Sequence, residues 1–230
     1  MKKIVAVIPA RGGSKRVPNK NIRNFKGQPL VAWSIKAAQS EQLITETVVS
    51  TDSSEISEIA ISYGASVVNR PKNLSSDTAS TKDALNHVFS QDQYNDADFF
   101  VILQPTSPLR ETDLIQRGLS KIISDDLVDS VIELNSEIFF TGSVDSNNFW
   151  KSDYSEATMS QALPKIYFPS GRLWIFRCES GFAANTSLNL NCKAIIGDYS
   201  RNINIDYEHD FDKLDFIYSK YFKEFKHLIF

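Results

Sequence analysis

The 230-residue chain is poor in metal-binding and disulfide chemistry: it has two cysteines, Cys178 and Cys192, and three histidines, His87, His209 and His227. Two isolated thiols without a C-x-x-C spacing exclude a disulfide framework, and too few soft ligands remain for a zinc cluster. Both cysteines are read as reduced, partly buried thiols. No internal repeat or low-complexity tract occurs. No apolar run reaches the length of a membrane span, and the opening one stops at Pro9, too early for a signal peptide; a cytoplasmic protein with no membrane partner is expected. Acid is missing from the N-terminus. Between Met1 and Lys26 stand Lys2, Lys3, Arg11, Lys15, Arg16, Lys20, Arg23 and Lys26 without an Asp or Glu, although the whole chain carries a net charge of -3. Positive charge so local marks a site and not a general affinity for nucleic acid.

What is present begins with an apolar strand, Lys3–Pro9, that runs into Ala10-Arg11-Gly12-Gly13-Ser14-Lys15-Arg16-Val17-Pro18-Asn19-Lys20-Asn21. Small residues at Gly12, Gly13 and Ser14 let backbone N–H groups approach an anion, and Arg11, Lys15, Arg16 and Lys20 bring cations to the same turn. The expected guest is a polyphosphate. The glycines match neither G-x-G-x-x-G nor G-x-x-x-x-G-K-[ST], so a dinucleotide fold and a P-loop ATPase are both poorly supported.

With 42% hydrophobic and 23% charged residues, the chain can bury the core of one large domain spanning 1–230. Strands are expected at Lys3–Pro9, Thr47–Ser50, Ser66–Asn69, Phe99–Gln104, Ser130–Leu134, Leu173–Arg177 and Lys193–Ile196. Helices are expected at Leu30–Ser40, at Ser53–Tyr63 with Asp52 and Glu55 in a capping arrangement, after Ser80 with Asp83, and at Asp210–Phe225. The alternation predicts an α/β fold of three layers, an open and mostly parallel sheet with ligands at the carboxyl ends of its strands. Between Asn135 and Lys165 the pattern breaks into a polar, turn-rich stretch around Phe139-Phe140 and Phe149-Trp150, too long for a bare loop. Segment 135–166 is read as a dimerisation arm, a small lobe or a lid.

The Arg11–Asn21 loop resembles the opening signature of the nucleotide-sugar pyrophosphorylases, and within them the acylneuraminate cytidylyltransferase (CMP-sialic acid synthetase) family. Val49-Ser50-Thr51-Asp52, Asn69-Arg70-Pro71, Leu74-Ser75-Ser76-Asp77-Thr78-Ala79-Ser80 and Gln104-Pro105-Thr106-Ser107-Pro108-Leu109-Arg110 extend the resemblance in order and spacing. It implies a Rossmann-like nucleotidyltransferase fold whose insertion completes a homodimer. It implies a reaction in which CTP and an acidic, ulosonic or sialic-type sugar give a CMP-sugar and pyrophosphate, with Mg²⁺, for surface glycans. By the same resemblance Arg11, Gly12, Gly13, Ser14, Lys15, Lys20 and Asn21 hold the triphosphate, with Arg11, Lys15 and Lys20 as the catalytic cations. Arg70, Ser80 and Thr81 lie around the cytidine, and Gln104 faces the acceptor.

Two departures stand out. Where the family has Asp-x-Asp, this chain has Asn204-Ile205-Asp206, which leaves Asp206 as the charged metal ligand and Asn204 as a neutral one. Glu208 and Asp210 read as helix N-terminal acids, a role that suits Asp210 better than metal binding. Ser160 and Phe168 occupy positions where sialic acid enzymes carry arginines. A carboxylate-bearing acceptor still needs a cation, and Lys165 or Arg172 are the candidates, Arg172 being equally readable as an exposed strand-edge charge. These departures leave open a different acceptor, or a nucleotide-binding homologue that has lost turnover.

Overall fold

The computed structural model describes residues 2–75, 80–155, 158–178 and 191–229. The Ser76-Asp77-Thr78-Ala79 part of the expected nucleotide motif lies outside them. Strand β1 (Ile4–Pro9) is buried from Ile4 to Ile8, which is why its sequence is a continuous apolar run and not an alternation. Asn24–Phe25 (β2) and Gln28–Pro29 (β3) form a small hairpin before helix α1 (Leu30–Gln39). There follow β4 (Glu46–Thr51), α2 (Ser54–Ser62), β5 (Ser66–Asn69), α3 (Thr81–Phe89), β6 (Phe99–Ile102) and α4 (Leu114–Ile123). The second half contributes β7 (Ser130–Glu137), β8 (Gly142–Val144), β9 (Trp150–Ser152), β10 (Ile166–Arg177), β11 (Cys192–Ile196) and α5 (Asp210–Lys220).

Seven strands form one sheet in the order β11-β7-β10-β6-β1-β4-β5. Only β10 runs antiparallel to its neighbours β6 and β7. Residues of α1, α2, α4 and α5 share the larger apolar core on one face, and Leu85 and Val88 of α3 close the other over Val5, Val7, Phe100 and Ile102. The three-layer, mostly parallel expectation is met, and all seven expected strands are found. Helix α4 was not foreseen, although Leu114, Ile115, Leu119 and Ile122 bury one face of it. The cap of α2 differs from expectation: Ser53 accepts from the Ile56 N–H, which leaves Asp52 for another task. The cap of α3 is as expected, Ser80 and Asp83 satisfying each other's backbone N–H groups. On α5 the buried face includes Ile217, whereas Phe222 beyond it is exposed.

The described strands of segment 135–166 form a β ribbon. Strands β7 and β10 run on together, with Asn135 opposite Phe168 and Glu137 opposite Ile166, and β8 pairs with β9 as a hairpin beyond them. Phe140 meets Tyr154 edge to face, while Phe139, Val144, Phe149 and Trp150 are exposed.

Candidate active site

The loop after β1 is fixed at both ends by its own chain. Gly12 donates its N–H to Asp52 Oδ1 at 2.8 Å, and Asn21 Nδ2 donates to the Arg11 carbonyl at 2.9 Å. A Cβ on Gly12 would come within 2.9 Å of Ser53 Cβ, so only glycine allows this approach to the start of α2. The consequence is a correction in detail: the Gly12 N–H is engaged within the protein, and Asn21, 6% exposed, holds the loop from beneath. Asn19 takes a left-handed turn (φ 56°) that returns the chain toward the sheet and brings Lys20 inward.

Around this loop lies a cavity of about 580 Å³ at the carboxyl ends of β1 and β6. It is lined by Arg11, Ser14, Lys15, Lys20 and Asn21 of the loop, by Arg70, Ser80 and Thr81, and by Gln104, Asn204 and Asp206. Twelve residues singled out in the sequence, Arg16 among them, thus meet in one place. Gly13 is exposed on the same loop, but Lys165 is exposed away from this cavity.

The electrostatics are set by Asp206. Arg16 Nη2 reaches its Oδ1 at 2.8 Å, Lys20 Nζ lies 3.7 Å from the same oxygen, and Lys20 also donates to the Ile205 carbonyl at 2.6 Å. Burial lowers the Lys20 pKa, with Asp206 acting against it. Arg16 is raised by its contact with Tyr207 and then by Asp206. Arg70 is lowered by burial and donates to Ser50 Oγ at 3.1 Å and to the Ser50 carbonyl at 2.8 Å, which fixes its guanidinium at the end of β4. Asn204 Nδ2 donates to Asp206 Oδ2 at 3.0 Å. Asp210 accepts the N–H groups of Asp206 and Tyr207, both at 2.8 Å, so its carboxylate closes the turn into α5.

Arg172 corrects the sequence expectation. It is neither a surface charge nor a cavity residue: its side chain is 1% exposed, paired with Glu133 through Nε at 2.8 Å and with Glu111 through Nη1 at 2.9 Å. A guanidinium between two carboxylates is unavailable to an acceptor. Arg110, wholly buried, donates to the Arg172 carbonyl at 2.7 Å, to Ser34 Oγ at 3.0 Å and to the Gln104 carbonyl at 2.8 Å. Burial, with Arg172 nearby, brings its pKa down to about 9. This buried set supports Gln104 from below. Gly171, at φ +79°, sits where β10 loses register, and a Cβ there would lie 2.7 Å from Ser107 Oγ and 3.1 Å from Gln104 Oε1.

A second cavity of about 530 Å³ shares Gln104, Asn204 and Asp206 with the first. Its wall includes Asn135, Phe168, Trp174, Tyr199 and Asn202, and Lys213 of α5 is its only cation among the described residues. Sequence reading missed Lys213, Asn135, Asn202 and Trp174. Lys213 was recoverable as a lysine one turn into the helix after Asp206; the others carry no local signal.

Among the described residues no three His, Cys, Asp or Glu side chains form a metal-binding group. The donor set fits a magnesium ion that arrives on a triphosphate and takes one carboxylate from the protein, and does not fit an ion held by protein alone. Asp206 would be that ligand, and Asn204 would have to turn its carbonyl oxygen inward to join it.

The cytidylyltransferase family model matches residues 5–165. The chain is 33% identical over 223 residues to an N-acylneuraminate cytidylyltransferase of Escherichia coli, an alignment covering 93% of this chain and 50% of that protein, so it spans about half the relative's length. It is 31% identical over 227 residues to the post-translational flagellin modification protein B of Campylobacter coli, covering 94% of this chain and 95% of the relative. The solved structure of a CMP:2-keto-3-deoxy-manno-octonic acid synthetase complexed with CTP shares the fold at a TM-score of 0.71 and 17% identity, over 95% of this chain and 99% of that one. No helix among the described residues is long and apolar enough to cross a membrane. By the extent of the family match and of the relatives' alignments, the chain belongs to the cytidylyltransferase family.

Proposed function

We propose that the protein transfers the cytidylyl group of CTP to an acidic sugar of the ulosonic type, giving a CMP-sugar and pyrophosphate. The observation that carries this reading is the single cavity in which the cationic loop, Arg70, Ser80, Thr81, Gln104 and Asp206 converge, in a chain of this family. The relatives' names supply the substrate class, since one acts on N-acylneuraminate and a protein of the same fold was solved with CTP.

In this reading Arg11, Lys15, Arg16 and Lys20 neutralise the β- and γ-phosphates as pyrophosphate leaves, and Arg70 with Ser80 and Thr81 borders the nucleoside. A sugar hydroxyl held near Gln104 attacks the α-phosphorus in line; the new O–P bond forms as the bond to the β-phosphate oxygen breaks, and the hydroxyl proton is lost to solvent. Lys213 replaces Lys165 and Arg172 as the cation for the acceptor carboxylate. Magnesium, when bound, supplies further charge neutralisation at the phosphates. The exposed aromatic tip of the β ribbon supports a homodimer in which a second copy covers Phe149 and Trp150.

The test is pyrophosphate release with CTP against a panel of 2-keto-3-deoxy sugar acids, alongside calorimetric titration of CTP, ATP and GTP with Mg²⁺. Release with at least one acid sugar and much tighter binding of CTP are expected. Equal affinity for ATP would place the chain with other nucleotide chemistry.

A further inference from the structure

The peptide unit between Arg11 and Gly12 is held at both of its polar ends. Its carbonyl accepts from Asn21 Nδ2 at 2.9 Å, and its N–H donates to Asp52 Oδ1 at 2.8 Å. A planar unit gripped at C=O and N–H resists turning about its flanking bonds, so the placement of Arg11 and the start of the turn are set there. The neighbouring residues are tied as well: Ser14 donates its N–H to the Gly12 carbonyl at 3.1 Å, and Ala10 donates to the Ser50 carbonyl at 2.9 Å.

Asp52 is available for this because α2 does not use it. Ser53 caps that helix through the Ile56 N–H, and Gly12 comes so close that a Cβ on it would lie 2.9 Å from Ser53 Cβ. A carboxylate is nevertheless an awkward partner at a phosphate site, since it repels the anion that the loop's cations attract. That charge is felt nearby: burial lowers the Arg70 pKa, Asp52 opposes the change and Arg11 adds to it, which puts the three in one neighbourhood. Asp52 does not line the cavity. An acid whose charge opposes the ligand from behind the loop contributes through the geometry that it imposes.

We propose that Asp52 is a positioning residue for the triphosphate: with Asn21 it clamps the peptide between Arg11 and Gly12, so that Arg11 and the turn through Ser14 meet the phosphates already in place. This rests on the loop being the phosphate site of the reaction proposed above, and adds a residue that acts only through that loop. Preorganisation of this kind removes an ordering cost from binding. It favours ligands whose phosphate chain reaches the loop and leaves the nucleoside side unaffected.

The test is calorimetric titration of inorganic tripolyphosphate and of CMP, at fixed ionic strength, into the wild type, Asp52→Asn and Asp52→Ala. Both substitutions remove the charge, but only the asparagine keeps an oxygen for the Gly12 N–H. Asp52→Asn should bind tripolyphosphate at least as tightly as the wild type, and Asp52→Ala about fivefold more weakly than Asp52→Asn, the order expected for one lost hydrogen bond. CMP, whose lone phosphate is next to the nucleoside, should bind the two variants alike. Equal tripolyphosphate binding by the two variants, a loss that extends equally to CMP, or a wild type that takes up no tripolyphosphate overturns the proposal. Pyrophosphate release from CTP and an acid sugar separates the two readings. Release by a wild type whose two variants bind tripolyphosphate alike would sink this inference and leave the proposed reaction standing. The expected difference between the variants in a protein that releases no pyrophosphate would do the reverse.

Discussion

Arg16 and Asp206, 190 positions apart in the chain, meet at 2.8 Å and join the phosphate loop to the turn before α5. Lys20 approaches the same carboxylate oxygen, so Asp206 is the anion at which two of the loop's cations meet. Incoming phosphates compete with it for those cations.

If the loop's cations stabilise the departing phosphates, Lys15→Ala lowers turnover by about 2–4 kcal/mol of barrier, roughly 30- to 900-fold, with little change in melting temperature. Steady-state pyrophosphate release measures it. Wild-type turnover in this variant would remove Lys15 from the catalytic set.

Asn204→Asp places a second carboxylate where an amide now donates to Asp206 at 3.0 Å. Like charges at that distance favour a bound cation, so the variant should bind Mn²⁺ or Mg²⁺ more tightly by calorimetry and reach half-maximal rate at lower Mg²⁺. In chelator its melting temperature should fall below that of the wild type. Unchanged metal affinity would mean that the ion sits elsewhere.

Removing the Arg172 guanidinium leaves Glu133, 0% exposed, without its partner. Arg172→Met should therefore destabilise the fold by about 3–5 kcal/mol, the cost of an uncompensated buried charge. Chemical denaturation of Arg172→Met beside the double variant Arg172→Met/Glu133→Leu decides the matter, because the second change should recover much of the loss. A single variant as stable as the wild type would contradict the buried network.

Burial pushes the Cys178 thiol up to about 12. Native protein at pH 8 should therefore react there very slowly with an alkylating reagent, and at the ordinary rate once unfolded, because the thiolate is the nucleophile. Mass mapping of labelled peptides over time checks this. Rapid native labelling at Cys178 would show that the end of β10 opens easily.

Much of the fold and nucleotide side of the site was legible because it rests on local patterns. Continuous apolar runs marked β1 and β6, Ser80 and Asp83 marked the start of α3, and Arg11–Asn21 declared a phosphate loop. Helix α4 is legible too, since Leu114, Ile115, Leu119 and Ile122 recur at helical spacing, although it was not among the expected helices. Asp52 looked like a cap and proved to hold Gly12, because a carboxylate at a strand end can serve either neighbour and only the approach of the loop selects one.

The acceptor side was not legible. An arginine in a sequence carries its charge but not its partner, and Glu111 and Glu133, 61 and 39 positions away, bury Arg172 where the sequence admits an exposed cation. Lys213 reaches a cavity only because the fold brings α5 and the β10 bulge to the same space, and Asn135 is orphaned where β7 pairs with β10. The sequence by itself determined the strand and helix alternation, the family and the cationic grip, since each depends on residues within a few positions of one another. Tertiary structure alone decided which charges are paired, which amides lack partners and where the second substrate would lie, because those outcomes depend on contacts between distant segments that periodicity does not encode.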